Sequence, residues 1–382
     1  MRGTSSAPVV VAAVRTPIGT AGRSLAHATA AELAAPVLAH LGRAAAAHGP
    51  VDEVLLGNCM GPGGDVARVA TLRAGLGATV PALTVDRQCA SGLAAVVTAV
   101  AALRSERGVV VAGGVESAST APWRFWPPAP GEEPVRYERA PFAPAETGDP
   151  DMGVANDLFA QQRGITRDQQ DEYAARSHAR AHAAQQAGGF DAEIVPVGDV
   201  ARDDRPRGGL TAERLARLRP AFLPAGTVTA GNSCGINDGA AAVVVVDADT
   251  YAARPVPGLR VLATATAAFD PTCPGWGLVP ASRVALERAG VGLDDIDVVE
   301  LNEAFAGQVL ACCAELGLEP ERVCPEGGAL GLGHPWGASG AVLLVRLFTQ
   351  LVRRPGGRLG LAAIAAGGGQ GVAVVVEAVG GP

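Results

Sequence analysis

The chain has 382 residues, 48% of them hydrophobic, and a formal net charge of −7. This is enough apolar material for a large core, and the acidic balance argues against a nucleic-acid partner. All 31 basic residues are arginine, which excludes Schiff-base chemistry on lysine, and no apolar run approaches the roughly 20 residues of a membrane span.

Residues 1–8 lack the apolar stretch of a secretory signal. The seven cysteines, at positions 59, 89, 234, 273, 312, 313 and 324, form no CxxC pair. They read as reduced thiols of a cytoplasmic protein. No metal site is expected. His178 and His182 have helical i, i+4 spacing, but on an alanine- and glutamine-rich segment that reads as a solvated face.

In chain order, residues 8–14 read as a strand, ended by the turn Arg15-Thr16-Pro17-Ile18-Gly19. A helix over 30–47, a strand over 51–57 and a helix over 65–76 follow. The stretch Val85-Asp86-Arg87-Gln88-Cys89-Ala90-Ser91-Gly92-Leu93 then sets one cysteine between a strand-like run and an alanine-rich helix over 93–103. A thiol there meets free N–H groups and the positive end of the helix dipole, which favour the nucleophilic thiolate. The alternative is a small buried hydrophobe. A strand over 108–112 completes a βαβα order that predicts a mostly parallel, buried sheet.

Residues 119–150 are proline-rich and carry Trp123, Phe125 and Trp126. They read as an irregular excursion with aromatic anchors, facing another subunit or covering a site. Residues 151–188 are helical and polar, 202–209 form a charged loop, and 240–246 return to strand. The last third repeats the first in outline: strand 258–265, helix 282–289, strand 297–301, helix 340–351 and strand 359–366. Two related α/β halves follow, 1–118 with 227–252 and 253–382, with 119–226 inserted as a loop domain. Two sheets packed back to back would bring both helix-opening elbows to one site.

The second elbow holds His334 in a glycine-rich run, where the imidazole can donate to a thioester oxygen or take a thiol proton. Asn302, in Asn302-Glu303-Ala304-Phe305-Ala306, can hold a water or donate to an oxyanion, or can simply cap a helix. Phe305 can line a pocket. Gly367, opening Gly367-Gly368-Gly369-Gln370-Gly371, offers N–H groups for half of an oxyanion hole, with the Cys89 N–H as the other half.

Taken in order, these motifs resemble the thiolase superfamily nearly end to end. They include Arg15 to Gly19, Gly57-Asn58, Cys89 to Leu93, Gly114-Val115-Glu116-Ser117, 226–232, Asn237-Asp238-Gly239-Ala240-Ala241, Asn302 to Ala306, the His334 loop and Gly367 to Gly371. The resemblance implies an α/β thiolase fold of two βαβαβαββ halves in five layers, αβαβα, with an inserted loop domain, assembled as a homodimer or homotetramer. It implies that Cys89 takes an acyl group from an acyl-CoA or a carrier-bound acyl thioester. His334 would activate the thiol, and His334 with an Asn302-held water would form one oxyanion hole. The Cys89 and Gly367 N–H groups would form the other. The coenzyme A thioester is substrate, and no further cofactor is implied. Met152, Arg207, Cys234, Phe305 and Trp336 fall at substrate- or CoA-binding positions, Cys234 replacing a serine that contacts pantetheine.

One departure bears on the reaction. The family's second cysteine, an acid/base for the α-carbon of acetyl-CoA, falls at Ala365, and a methyl group moves no proton. The leading expectation is therefore a biosynthetic acyltransferase that passes the Cys89 acyl group to an amine, a hydroxyl or a decarboxylating malonyl-type thioester. A conventional acetyl-CoA acetyltransferase or 3-ketoacyl-CoA thiolase with a substitute base, or with Ala365 introduced by engineering, is the alternative, and a non-catalytic subunit a third. Trp276, Leu278 and Trp336 suggest a reshaped pocket.

Overall fold

Valine-rich runs form strands buried on both faces, and alanine-rich amphipathic segments cover them. The computed structural model describes residues 7–354 and 356–380. The first half contains β1 (Val9–Arg15), β2 (Gly19–Thr20), α1 (Ala30–Ala45), β3 (Glu53–Gly57), α2 (Val66–Arg73), β4 (Ala82–Val85), α3 (Ser91–Ala102) and β5 (Val109–Ser117). The intervening segment supplies β6 (Arg124–Trp126), β7 (Val135–Tyr137), α4 (Met152–Gln162), α5 (Arg167–Gln186) and α6 (Ala212–Leu215). Strand β8 (Asn237–Val246) and α7 (Ala248–Ala253) close the half. The second half contains β9 (Gly258–Ala268), α8 (Leu278–Ala289), β10 (Val298–Leu301), α9 (Ala306–Leu316), α10 (Ala329–Leu332), α11 (Trp336–Phe348), β11 (Leu359–Ala366) and β12 (Gln370–Val379).

The strand order is β4-β3-β5-β8-β1 in the first half and β9-β12-β11-β10 in the second. Counted within its own half, each follows the same path. Val323, bridged in parallel to Val299, stands where the second half would carry its third strand. The strands differ from the expected two sheets in one respect. Val9 and Val10 of β1 pair with Arg260 and Leu259 of β9, so the halves share one ten-stranded sheet. The join is only these first residues, and the five layers persist. One apolar cluster lies under α1 and α2, a second under α8 and α9, and the third between the halves around α3 and α11. Strand β8 alternates accordingly, sending Val243 and Val245 inward and Val244 and Val246 outward.

Helices α3 and α11 touch backbone to backbone. A Cβ on Gly92 would fall 2.6 Å from the Gly337 oxygen, and one on Gly340 would fall 2.5 Å from the Leu93 nitrogen. No side chain fits at either place. This approach sets the Cys89 and His334 elbows side by side.

The segment expected to be irregular forms the hairpin β6–β7, with Trp126 stacked on Tyr137 at 4.6 Å. Its aromatics are not buried anchors: Trp123 is 73% exposed. The chain then folds back toward the sheet. Arg15 and Arg346, both buried, bond Glu193 from opposite sides, and Arg15 also bonds Asp203 at 2.7 Å. These ties hold the inserted segment to both halves. The helix carrying His178 corrects the solvated-face reading. His178 is buried because α5 packs on α10, and burial lowers its pKa to about 4.

Replacing Gly340→Ala should lower the unfolding free energy by about 1–3 kcal/mol in urea denaturation, as overpacking does. It should also slow acylation of Cys89 by pushing the elbows apart.

Candidate active site

Cys89 lies between the C-terminal end of β4 and the first residue of α3. Gln88 before it has φ +48°, a left-handed turn unusual for a side-chain-bearing residue. Local bonds hold that turn. Gln88 N–H donates to Asp86 Oδ1 at 2.8 Å, and Ser91 Oγ donates to the Gln88 carbonyl at 2.6 Å while accepting from Arg87 N–H at 2.7 Å. The thiol faces a cavity of about 380 Å³, also lined by Cys59, Met152, Cys234, Phe305, His334, Trp336 and Gly367.

His334 reaches this cavity from the second half. Gly333, at φ +116°, makes the turn before it, and His334 N–H donates to Asn237 Oδ1 at 3.0 Å. The ring is buried. Its Nδ1 lies 2.6 Å from Ser339 Oγ, and its Nε2 lies 3.4 Å from the Asn302 amide nitrogen. With the amide oriented this way, Nε2 accepts from the Asn302 amide and the proton sits on Nδ1, which donates to Ser339 Oγ. Burial lowers the pKa to about 3, so the ring is neutral. A neutral imidazole beside a thiol can take its proton.

Glu116 joins the two elbows from below. Its carboxylate accepts from Asn58 Nδ2 at 2.9 Å and from the N–H groups of Cys59, Met60 and Gly337, each at 3.1 Å. Gly337 is in the first turn of α11, where a carboxylate is favoured.

The expectation of a thiolate at Cys89 is corrected. Burial, and next the nearby Cys234 sulfur, push the Cys89 thiol up to about 12, and its own backbone N–H only partly opposes them. Desolvation outweighs the helix terminus, and the resting group is a thiol.

Of the residues singled out in sequence, Cys89, His334, Gly367, Met152, Cys234, Phe305 and Trp336 line one cavity. Asn302 stands behind His334, buried, and is no helix cap, because α9 starts at Ala306. Arg207 is exposed and outside the lining. Trp276 and Leu278 do not shape the pocket but sit in the apolar cluster of the second half. Ala365 is partly buried against that same cluster, on the strand face of Leu361 and Ala363, and is absent from the cavity wall. Residues not anticipated include Cys59 and Met60 after β3, and Arg124, Arg139 and Phe142 of the excursion. The available signal was position: Cys59 follows a parallel strand, as Cys89 does. Phe142 packs its ring on Gly367, so the excursion does cover the site. Among the described residues, no cluster of three or more His, Cys, Asp or Glu could hold a metal, and no helix is long and apolar enough to cross a membrane.

The chain matches the family described as "Thiolase, N-terminal domain" over residues 8–249 and "Thiolase, C-terminal domain" over residues 256–378. The chain belongs to the thiolase family. It is an acyltransferase with the α/β thiolase fold. It is 44% identical to an acetyl-CoA acetyltransferase of Escherichia coli, covering 97% of this chain and 98% of that protein. It is 43% identical to a β-ketoadipyl-CoA thiolase of Pseudomonas aeruginosa, covering 96% and 98%. The crystal structure of an acetyl-CoA acetyltransferase of Bacillus anthracis superposes with a TM-score of 0.90 at 37% identity, covering 99% of this chain and all of that one.

In this thiolase, alkylation of Cys89 by iodoacetamide, followed by peptide mass spectrometry, should rise about tenfold per pH unit from pH 7 to 9, as a thiol well below its pKa requires. A plateau near neutrality would show a resting thiolate instead.

Proposed function

We propose that this thiolase interconverts a 3-ketoacyl-CoA plus coenzyme A with an acyl-CoA plus acetyl-CoA, through an acyl thioester on Cys89. One observation carries the reading. The Cys89 thiol and the neutral His334 ring, from opposite halves, meet in one cavity with Gly367 at its wall. The relatives support it, being named acetyl-CoA acetyltransferase and β-ketoadipyl-CoA thiolase over almost their whole lengths. They favour this conventional chemistry over the decarboxylative or amine-directed transfer that Ala365 suggests, and over a non-catalytic platform.

In this reading His334 Nε2 takes the Cys89 proton as the sulfur attacks the 3-keto carbon. The Cys89 and Gly367 N–H groups face the oxygen that becomes negative on the acyl side. His334 and Asn302, holding a water between them, face the thioester oxygen of the departing acetyl-CoA enolate. Fixed donors in a water-poor cavity stabilise such charges strongly. In this reading Met152, Phe305 and Trp336 bound the acyl and pantetheine space, and Arg207, exposed outside the lining, would meet the CoA nucleotide. We place the protein in the cytoplasm, where its free thiols stay reduced, as a homodimer or homotetramer.

The test is direct. Acetoacetyl-CoA with coenzyme A should yield acetyl-CoA, and Cys89 should gain the mass of one acyl group when coenzyme A is withheld. Cys89→Ala should abolish both. His334→Ala and Asn302→Ala should each lower kcat by about 10²–10⁴-fold, the range for losing a proton carrier or an oxyanion donor. Turnover with amines or malonyl-CoA but none with acetoacetyl-CoA would overturn the proposal.

A further inference from the structure

The thiolase reading leaves one proton unassigned, the one that reaches the α-carbon of acetyl-CoA. Ala365 cannot carry it and does not face the cavity. Two thiols besides Cys89 do, Cys59 and Cys234, and their surroundings differ.

Cys59 belongs to the same side as the nucleophile. Its Sγ donates to the Gln88 carbonyl at 2.9 Å and lies 3.6 Å from Ser91 Oγ. The Glu116 carboxylate accepts the Cys59 N–H at 3.1 Å, and Arg124 donates to the Cys59 carbonyl at 3.2 Å. Burial and that carboxylate raise the Cys59 pKa well above its ordinary value. A second negative charge on Cys59 would face Glu116 in a dry site.

Cys234 is anchored to the second half. Its N–H donates to the Ala304 carbonyl at 2.9 Å, and Ser233 bridges to Phe305. It is therefore tied to the turn that follows Asn302 and shares the cavity with Cys89. Behind it lies Arg205, whose guanidinium packs on Gly235 and donates one N–H to the Leu330 carbonyl at 3.2 Å. Among the described residues Arg205 has no carboxylate partner, and its buried Nε has no hydrogen-bond partner. A largely buried guanidinium without an anion is costly unless an anion forms beside it.

We propose that Cys234 is the acid/base thiol of this thiolase and that Arg205 holds its thiolate. The proposal rests on the thiolase reading above. In thiolysis, attack by Cys89 sulfur on the 3-keto carbon breaks the C–C bond and leaves the acetyl-CoA enolate. The Cys234 S–H bond breaks, its proton goes to the enolate carbon, and acetyl-CoA leaves. The Cys234 thiolate, facing Arg205, then takes the proton of the incoming coenzyme A thiol. The freed sulfur attacks the acyl-Cys89 carbonyl, the C–S bond to Cys89 breaks, and Cys89 recovers its proton from His334. Condensation is the reverse. Burial pushes the Cys234 thiol up to about 12 and Arg205 draws it back down, so the resting group is an acid with a cation ready for its conjugate base.

The experiment compares the full-length wild type with Cys234→Ala, Cys234→Ser and Cys59→Ala. Thiolysis of acetoacetyl-CoA, acylation of Cys89 by acetyl-CoA and exchange of acetyl-CoA methyl protons with deuterated water are measured on each. Cys234→Ala should lose about 10²–10⁴-fold in thiolysis kcat, lose the deuterium exchange and slow acylation of Cys89 by acetyl-CoA, a step in which Cys234 protonates the departing coenzyme A sulfur, with the KM for coenzyme A within about threefold of wild type. A thiol that merely shaped the pantetheine channel would change KM and leave the deuterium exchange at saturating acetyl-CoA intact. Cys234→Ser, nearly the same size, should also lose exchange, which separates chemistry from folding. Cys234 variants that turn over and exchange like an active wild type would overturn the inference alone, as would loss of exchange in Cys59→Ala but not in Cys234→Ala. A wild type inert toward acetoacetyl-CoA and coenzyme A would overturn the thiolase reading itself.

Discussion

The site depends on the contact between α3 and α11. Each helix opens with a functional elbow, one at Cys89 and one at His334, and each elbow belongs to a different half of the chain. The elbows can share a 380 Å³ cavity only because the helices approach at backbone distance. Gly92 and Gly340 leave that space empty. Glu116 then fixes the register, because one buried carboxylate accepts N–H groups both from the loop after β3 and from the first turn of α11. Removing that carboxylate would leave several buried donors unpaired, which is dearer than a missing surface bond.

Burial sets the charge state of the cavity. Cys89 is a thiol with its pKa near 12, Cys234 is the same, and His334 is neutral with its pKa near 3. The His334 ring is buried, and Cys89 and Cys234 are partly buried on the cavity wall, so the charged forms lose much of their hydration. Such a site works by passing protons between neutral partners and by meeting each transient anion with fixed donors. The helix terminus at Cys89, which looks decisive in one dimension, is a smaller term than desolvation in three.

The cavity wall shows how far the sequence was legible. Cys89 and Gly367 each follow a strand-like run among small residues, His334 lies in a glycine-rich run that opens a helix, and these local patterns survive folding. Asn302 was legible as polar but not as a partner of His334, because its cap-like position says nothing of a ring 32 residues away. Arg124, Arg139 and Phe142 were illegible. They lie in a segment without periodicity, and only its return path carries Phe142 onto Gly367. Trp276 misled in the opposite direction: a bulky residue near the motifs turned out to pack against Phe159 and Arg163 in the core.

By itself the sequence determined the alternation of strands and helices, the duplicated order of the halves and the elbows that carry Cys89 and His334. These follow from short-range causes: hydrophobic periodicity, turn residues and glycine. Tertiary structure alone decided that the two halves join into one sheet through β1 and β9, that Ala365 turns away from the cavity, and that three thiols face one another inside it. It also decided the protonation of those groups. A side chain's pKa depends on what surrounds it in space, and neither Arg205 behind Cys234 nor Glu116 beside Cys59 is close to its partner in the chain.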